Sequence, residues 1–75
     1  MIKESILKVY KRQNLTYDEA YQTMDEIMSG EASEVQMSAY LTAMAMKGET
    51  IEEITASAEA VISSMVSPFI DIAVR

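Results

Sequence analysis

The fold is decided by the stretch Ser33-Glu-Val-Gln-Met-Ser-Ala-Tyr-Leu-Thr-Ala-Met-Ala-Met-Lys-Gly-Glu-Thr-Ile-Glu-Glu53. It begins and ends with the same helix-start signal, the capping box, in which a hydroxyl side chain accepts from the backbone N–H three residues on. The Glu or Gln at that third position reaches back to the first residue's own N–H. The signal occurs three times, 17 residues apart: Thr16 with Glu19, Ser33 with Gln36, and Thr50 with Glu53. This repetition predicts a row of short helices joined by tight connections.

The spacing of apolar residues between these signals predicts four helices, over residues 2–12, 17–29, 34–47 and 51–65. The third has no charge between Glu34 and Lys47 and is apolar around most of its circumference. We therefore expect it to be buried nearly all round, with Leu41 fully buried. Pro68 is expected to end the fourth helix, and the alternating residues that follow predict a strand. The prediction is an all-α four-helix bundle over residues 1–66, with an extended tail over 67–75.

Composition excludes several kinds of function. The 75 residues include no cysteine and no histidine, which removes thiolate nucleophiles, the commonest general base and the commonest metal ligand. A formal charge of −6 argues against a nucleic-acid partner. The longest uncharged run, residues 35–46, is shorter than the roughly 20 residues that a membrane span needs, so we expect no membrane partner and a cytoplasmic protein.

Acidic and basic residues are unevenly distributed. Four cations lie in the first twelve residues, so the first helix is basic and the rest of the chain is acidic. A basic helix can mark a partner surface, or it can be an exposed face attracted to the acidic helices. The adjacent carboxylates Asp18 and Glu19, and Glu52 and Glu53, lie in predicted first turns, where the helix dipole explains them. We therefore predict no metal site and no catalytic residue.

Residues 3–65 resemble the N-terminal helical domain of the anthranilate phosphoribosyltransferases, a family shared with the pyrimidine nucleoside phosphorylases. The resemblance depends on short motifs along the chain. These are Leu15-Thr16, Glu19-Ala20, Gly30-Glu31, Gln36 with Ala39 and Leu41, Lys47-Gly48-Glu49-Thr50, and Glu53-Ile54. In that family the helices precede an α/β domain whose glycine-rich loop binds phosphoribosyl pyrophosphate with Mg²⁺. No such loop follows Pro68-Phe69-Ile70-Asp71-Ile72 here.

The resemblance implies an isolated or truncated helical module of an enzyme of tryptophan biosynthesis, serving dimerisation and domain packing. On its own such a chain is not an enzyme and binds no cofactor. The alternative is a free-standing helical interaction protein, derived from that domain, which binds another protein. An acyl carrier protein is disfavoured because no serine here follows an aspartate.

A homodimer is also expected, because the third helix has more apolar surface than three short neighbours can cover. The partner in that case is a second copy, while an α/β catalytic domain or another protein are further candidates. The residues predicted to form the interface lie on the first and third helices and in the tail. They are Ile2, Ile6, Val9, Met37, Tyr40, Met44 and Phe69.

Overall fold

The computed structural model describes residues 1–74, which form four helices and contain no strand. The helices are α1 (Ile2–Tyr10), α2 (Tyr17–Met28), α3 (Glu34–Lys47) and α4 (Ile51–Ala73). The last three begin at complete capping boxes, with Thr16, Ser33 and Thr50 as N-cap residues, so the three predicted start signals are confirmed. α1 begins without a side-chain cap.

The helices pack as two pairs, α1 against α3 and α2 against α4, and contacts between α1 and α2 join the pairs. The buried residues lie where these helices meet, and include Val9 of α1, Ala20 of α2, Tyr40 of α3 and Ala56 of α4. A buried hydrogen bond joins α1 to α2, with the hydroxyls of Ser5 and Thr23 2.6 Å apart. The molecule is elongated, at 46 × 25 × 16 Å.

The prediction of an extended tail is wrong, because α4 continues to Ala73 with Pro68 inside it. A proline removes one helical hydrogen bond and favours a kink, but it need not end a helix whose side chains keep a helical period. Here Ile62, Met65, Phe69 and Ile72 recur every three or four residues and outweigh the short alternation that predicted a strand. The predicted boundary after residue 66 therefore lies within a helix. Arg75 lies outside the described residues.

The prediction that α3 is buried nearly all round is also wrong. Tyr40 and Met44 are buried against the core, but Leu41 is 53% exposed. Val35 and Met46 are exposed as well. The reason is the pairing of the helices, since α3 packs mainly on α1 and makes little contact with α4. A single neighbour covers one face, and most of the remaining surface of this helix, which is uncharged between Glu34 and Lys47, faces solvent.

α4 is long and apolar enough to cross a membrane by length and composition, with 11% of its most apolar window buried in the bundle. Its first half packs on α2, where Glu53, Ala56 and Ala60 are fully buried. Its second half extends beyond the bundle, so that Phe69 is 73% exposed. Length and composition alone are weak evidence for a membrane span, because core helices of other proteins have the same properties.

Candidate interaction surfaces

A buried ion pair joins the three parts of the chain that meet at the start of α4. Lys47 Nζ, at the end of α3, lies 2.7 Å from Glu53 Oε1, and the two side chains are 4% and 0% exposed. The lysine also donates to Asn14 Oδ1 at 3.1 Å and to the Gly48 carbonyl at 2.8 Å. The ammonium is thus fully engaged at the point where the α1–α2 connection meets the end of α3.

The Glu53 carboxylate also accepts two backbone hydrogen bonds. The Leu15 N–H donates to Oε2 at 2.7 Å, and the Thr50 N–H donates to Oε1 at 2.8 Å. Burial raises the pKa of this carboxyl, but the hydrogen bonds from Lys47, Leu15 and Thr50 together outweigh burial and hold the pKa below its usual value. Glu53 is therefore a charged residue in the core, where it fixes the position of the first turn of α4.

Sequence reasoning assigned Glu53 to a capping box in the first turn of a helix and missed the ion pair. Its capping-box role was visible because Thr50 lies three residues before it. Its other two partners were not, because Leu15 lies 38 residues away and Lys47 belongs to the preceding helix. The available signal was Lys47, which ends a helix without other charges after Glu34 and lies six residues before the capping-box glutamate.

Tyr40 is the second buried polar side chain of note. It is 1% exposed, and its hydroxyl has no hydrogen-bond partner among residues 1–74. Burial, with smaller contributions from the charges of Glu53 and Glu49, raises the pKa of its phenol to about 12. The side chain therefore stays neutral at physiological pH. It acts as a large apolar core residue and carries one unsatisfied donor.

A shallow groove of about 670 Å³ runs along the exposed side of the α1–α3 pair. Apolar side chains form most of its wall, including Val9, Val35, Ala39 and Met46, and Arg12 also lines it. Arg12 has a left-handed backbone conformation, with φ at 62°, just after α1 ends. The groove therefore combines a mostly apolar lining with the positive charge of Arg12. We call it the α1–α3 groove.

The structure distributes the seven predicted interface residues unevenly. Four of them, Ile2, Val9, Tyr40 and Met44, are at most 5% exposed and pack into this chain's own core. Ile6 and Met37 are partly buried against the same core. Only Phe69 of the set is largely exposed. Whether any of the seven contacts a second copy stays a prediction, but most of them already have partners within one chain.

The residues described provide no cluster of three or more carboxylates that could hold a metal ion.

Comparison with known proteins identifies the family to which the helical bundle belongs. Residues 3–65 match the family described as "Glycosyl transferase family, helical bundle domain". The chain belongs to this family. The expected resemblance to the anthranilate phosphoribosyltransferases is confirmed.

Three relatives of this glycosyl transferase family member show how specific the match is. Each is an anthranilate phosphoribosyltransferase. The protein from Methanobrevibacter smithii is 73% identical over 60 residues, which are 80% of this chain and 18% of the relative. Those from Lachnoclostridium phytofermentans and Geotalea uraniireducens are 62% and 53% identical over 58 residues, 77% of this chain and 17% of each relative. The chain thus spans less than a fifth of the relatives' length. No solved structure matches it significantly.

The family match includes one exposed surface of this helical bundle domain and leaves another outside. The α1–α3 groove and the buried ion pair of Lys47 and Glu53 lie within residues 3–65. The part of α4 that follows Met65, with the exposed Phe69 and Ile72, lies beyond the match. The groove therefore belongs to the part of the chain that resembles the family, and the end of α4 does not.

Proposed function

We propose that this chain serves as the helical packing module of an anthranilate phosphoribosyltransferase and is not a catalyst by itself. The identity of 73% to the Methanobrevibacter smithii enzyme is the observation that carries the proposal. Identity at that level over 60 residues is hard to reconcile with a change of structural role. The module would contribute contact surface, and the chemistry would be performed by residues outside this chain.

The polar chemistry of the described residues supports a structural role. Lys47 and Glu53 neutralise each other in the core, and the capping-box residue Glu19 accepts from Lys8 at 2.7 Å. These charged groups hold helices and connections together. Lys47 lines the α1–α3 groove, but its ammonium is engaged by Glu53, Asn14 and the Gly48 carbonyl. Because these charged groups are engaged in the fold, we assign no catalytic, cofactor-binding or metal-binding residue to this chain.

The α1–α3 groove is the surface that we assign to contact with another part of the assembled enzyme. It is mostly apolar, it lies within the family match, and Ala39 in its wall is exposed. Apolar grooves of this kind take side chains of a partner, and polar groups at the edge set orientation. A cytoplasmic location is part of the same proposal.

A chimeric enzyme tests the proposal. The 60 matched residues of the Methanobrevibacter smithii enzyme are replaced by those of this chain, and anthranilate consumption is followed by fluorescence with phosphoribosyl pyrophosphate and Mg²⁺. We expect kcat/KM within about tenfold of the unmodified enzyme, since about 1.4 kcal/mol corresponds to that factor. A folded chimera without activity would contradict the proposed role.

Two matched substitutions in the chimera then test the groove. Ala39→Glu places a charge in the groove, and Gln22→Glu places the same charge on the exposed surface of α2, away from it. We expect the first to lower activity or assembly and the second to change neither. Equal behaviour of the two variants would show that the groove makes no contact in the assembled enzyme. The alternative function, binding of an unrelated protein, predicts an inactive chimera even when circular dichroism shows that it is folded.

A further inference from the structure

Among residues 1–74, Met46 is the one methionine that lines the α1–α3 groove. It is 71% exposed, so its thioether is accessible from solvent. Val35, Ala39 and Thr42 precede it at three- or four-residue spacing and line the same groove. Met44, only two residues away, is 2% exposed and packs into the core, because two residues turn a helix by about 200°. α3 therefore presents one methionine to solvent and another to the core.

Methionines are the side chains of this chain that a peroxide oxidises most readily. The sequence contains seven of them and no cysteine, histidine or tryptophan. A lone pair of the thioether sulfur attacks one peroxide oxygen, an S–O bond forms and the O–O bond breaks, and hydrogen peroxide leaves as water. The sulfur is oxidised by two electrons and the peroxide is reduced by the same two. The product, methionine sulfoxide, is polar, whereas the thioether is apolar.

We propose that Met46 is a reversible methionine-oxidation site, at which a peroxide converts the wall of the α1–α3 groove from apolar to polar. The loss of contact that follows rests on the proposed function, in which this groove packs against another part of the enzyme. A sulfoxide buried in an apolar contact without a hydrogen-bond partner is unfavourable. Contact and oxidation therefore exclude each other, since a covered groove protects Met46 and an oxidised groove packs poorly.

The reaction can be reversed, because methionine sulfoxide is a substrate of methionine sulfoxide reductases. Two thiols of the reductant supply the two electrons, and the products are the thioether, a disulfide and water. The same reversal would restore the apolar wall of the groove. Met46 thus has the chemistry of a switch that depends on the supply of peroxide and thiol.

The position of the other methionines confines the effect of mild oxidation to surfaces. Met44 is buried, and Met24 and Met37 are half-buried. Met28 and Met65 are exposed, but they lie on α2 and α4 and do not line the groove. Oxidation at the exposed sites changes no residue of the core. Met28 is therefore a natural control for Met46.

Peptide mapping by mass spectrometry tests the selectivity in the isolated chain. The chain is treated with hydrogen peroxide, circular dichroism establishes that it stays folded, and sulfoxide is followed at each methionine. We expect Met46 to react at least about tenfold faster than Met44, because oxidation follows exposure. Methionine sulfoxide reductase with dithiothreitol should then return Met46 to the thioether. Equal rates at Met44 and Met46 in the folded chain would overturn the proposal.

Glutamine substitutions test the consequence without an oxidant, because glutamine is polar and similar in length to methionine. Met46→Gln and the control Met28→Gln are compared in the chimeric enzyme and in the isolated chain. In the isolated chain neither should move the melting temperature by more than about 3 °C, since both sites are exposed. In the chimera Met46→Gln should lower kcat/KM about tenfold, and Met28→Gln should not. Met46→Leu, which stays apolar, should lose less activity than Met46→Gln.

Protection from peroxide in the chimera distinguishes failure of this proposal from failure of the proposed function. A groove that packs against the rest of the enzyme should slow oxidation of Met46 at least about tenfold relative to the isolated chain, while Met28 reacts alike in both. Equal rates at Met46 in the two proteins would contradict the proposed contact and overturn the oxidation proposal with it. Protection of Met46 together with equal activities of Met46→Gln and Met28→Gln would overturn the oxidation proposal alone and leave the contact standing.

Discussion

Substitution of Glu53 by glutamine tests the central role of the buried ion pair. The glutamine has nearly the same shape, but it removes the charge that compensates Lys47, whose side chain is 4% exposed. It also places an amide NH₂ among donors, because Glu53 accepts from Lys47, Leu15 and Thr50. Leaving one partner of a buried pair uncompensated costs about 3–5 kcal/mol. The whole free energy of unfolding for 75 residues is about 4–11 kcal/mol, at 0.05–0.15 kcal/mol per residue. Glu53→Gln is therefore expected to remove a large part of the stability.

Urea unfolding followed by circular dichroism measures this loss. With a slope of about 1 kcal/mol per molar urea, the midpoint should fall by about 3–5 M, or the variant should be partly unfolded without urea. Glu52→Gln is the matched control, since Glu52 is exposed in the same helical turn and accepts one hydrogen bond, from the Tyr17 N–H at 3.1 Å. A double-mutant cycle with Lys47→Met isolates the pair, and a coupling energy above about 1 kcal/mol is expected. Equal midpoints for Glu53→Gln and Glu52→Gln would refute the reasoning.

Further predictions concern Glu53, Tyr40, Leu41 and the net charge of the chain. Because the pKa of Glu53 is lower in the folded state, its stabilising contribution is present above its usual pKa of 4.5 and is lost as pH falls through the folded value. The free energy of unfolding should therefore decline below about pH 4.5, and less steeply in Glu53→Gln, as acid titration by circular dichroism would measure. Tyr40→Phe removes a buried hydroxyl without a partner, so stability at pH 7 should stay the same or rise by up to about 1 kcal/mol. Because burial raises the pKa of Tyr40 to about 12, the wild-type chain should lose stability as pH rises from 10 to 12. The Tyr40→Phe variant should lose less stability over this range. Tyr10→Phe, at an exposed site, is the control. Leu41→Ala should cost less than about 1 kcal/mol, because Leu41 is 53% exposed, and a loss of the 2–5 kcal/mol typical of a buried leucine would mean that a partner covers it. Calorimetric titration of the chain with phosphoribosyl pyrophosphate should detect no binding, because a charge of −6 repels the ligand and the chain has no glycine-rich loop to bind it. A micromolar dissociation constant would contradict this prediction.

The helix starts could be predicted from sequence because a capping box is local. Its two members are three residues apart, so both the donors and the acceptors can be identified in one short window. Thr16, Ser33 and Thr50 all cap helices as predicted. The end of α4 could not be predicted in the same way. A proline indicates a break, but whether the helix continues past Pro68 depends on the sum of contacts and propensities along 23 residues.

Burial and partner choice depend on which helices meet, and the apolar pattern of a single helix does not contain that information. α3 is apolar around most of its surface, yet α1 covers only the face with Tyr40 and Met44. The same limit applies to the predicted interface. An apolar stripe on a helix identifies residues that favour burial, but it does not identify what buries them. Ile2 and Val9 are buried within this chain, whereas Phe69 is exposed.

The hydrogen bond from the Leu15 N–H to Glu53 bears on the synthesis of the chain. A ribosome releases Leu15 long before Glu53, so the connection between α1 and α2 emerges without the acceptor that it has in the finished fold. Asn14 likewise meets Lys47 only after α3 is complete. The first two helices can form early, but their connection is fixed only when the first turn of α4 arrives. Protection of the Leu15 amide from hydrogen exchange should therefore appear together with that of α4 rather than with that of α2.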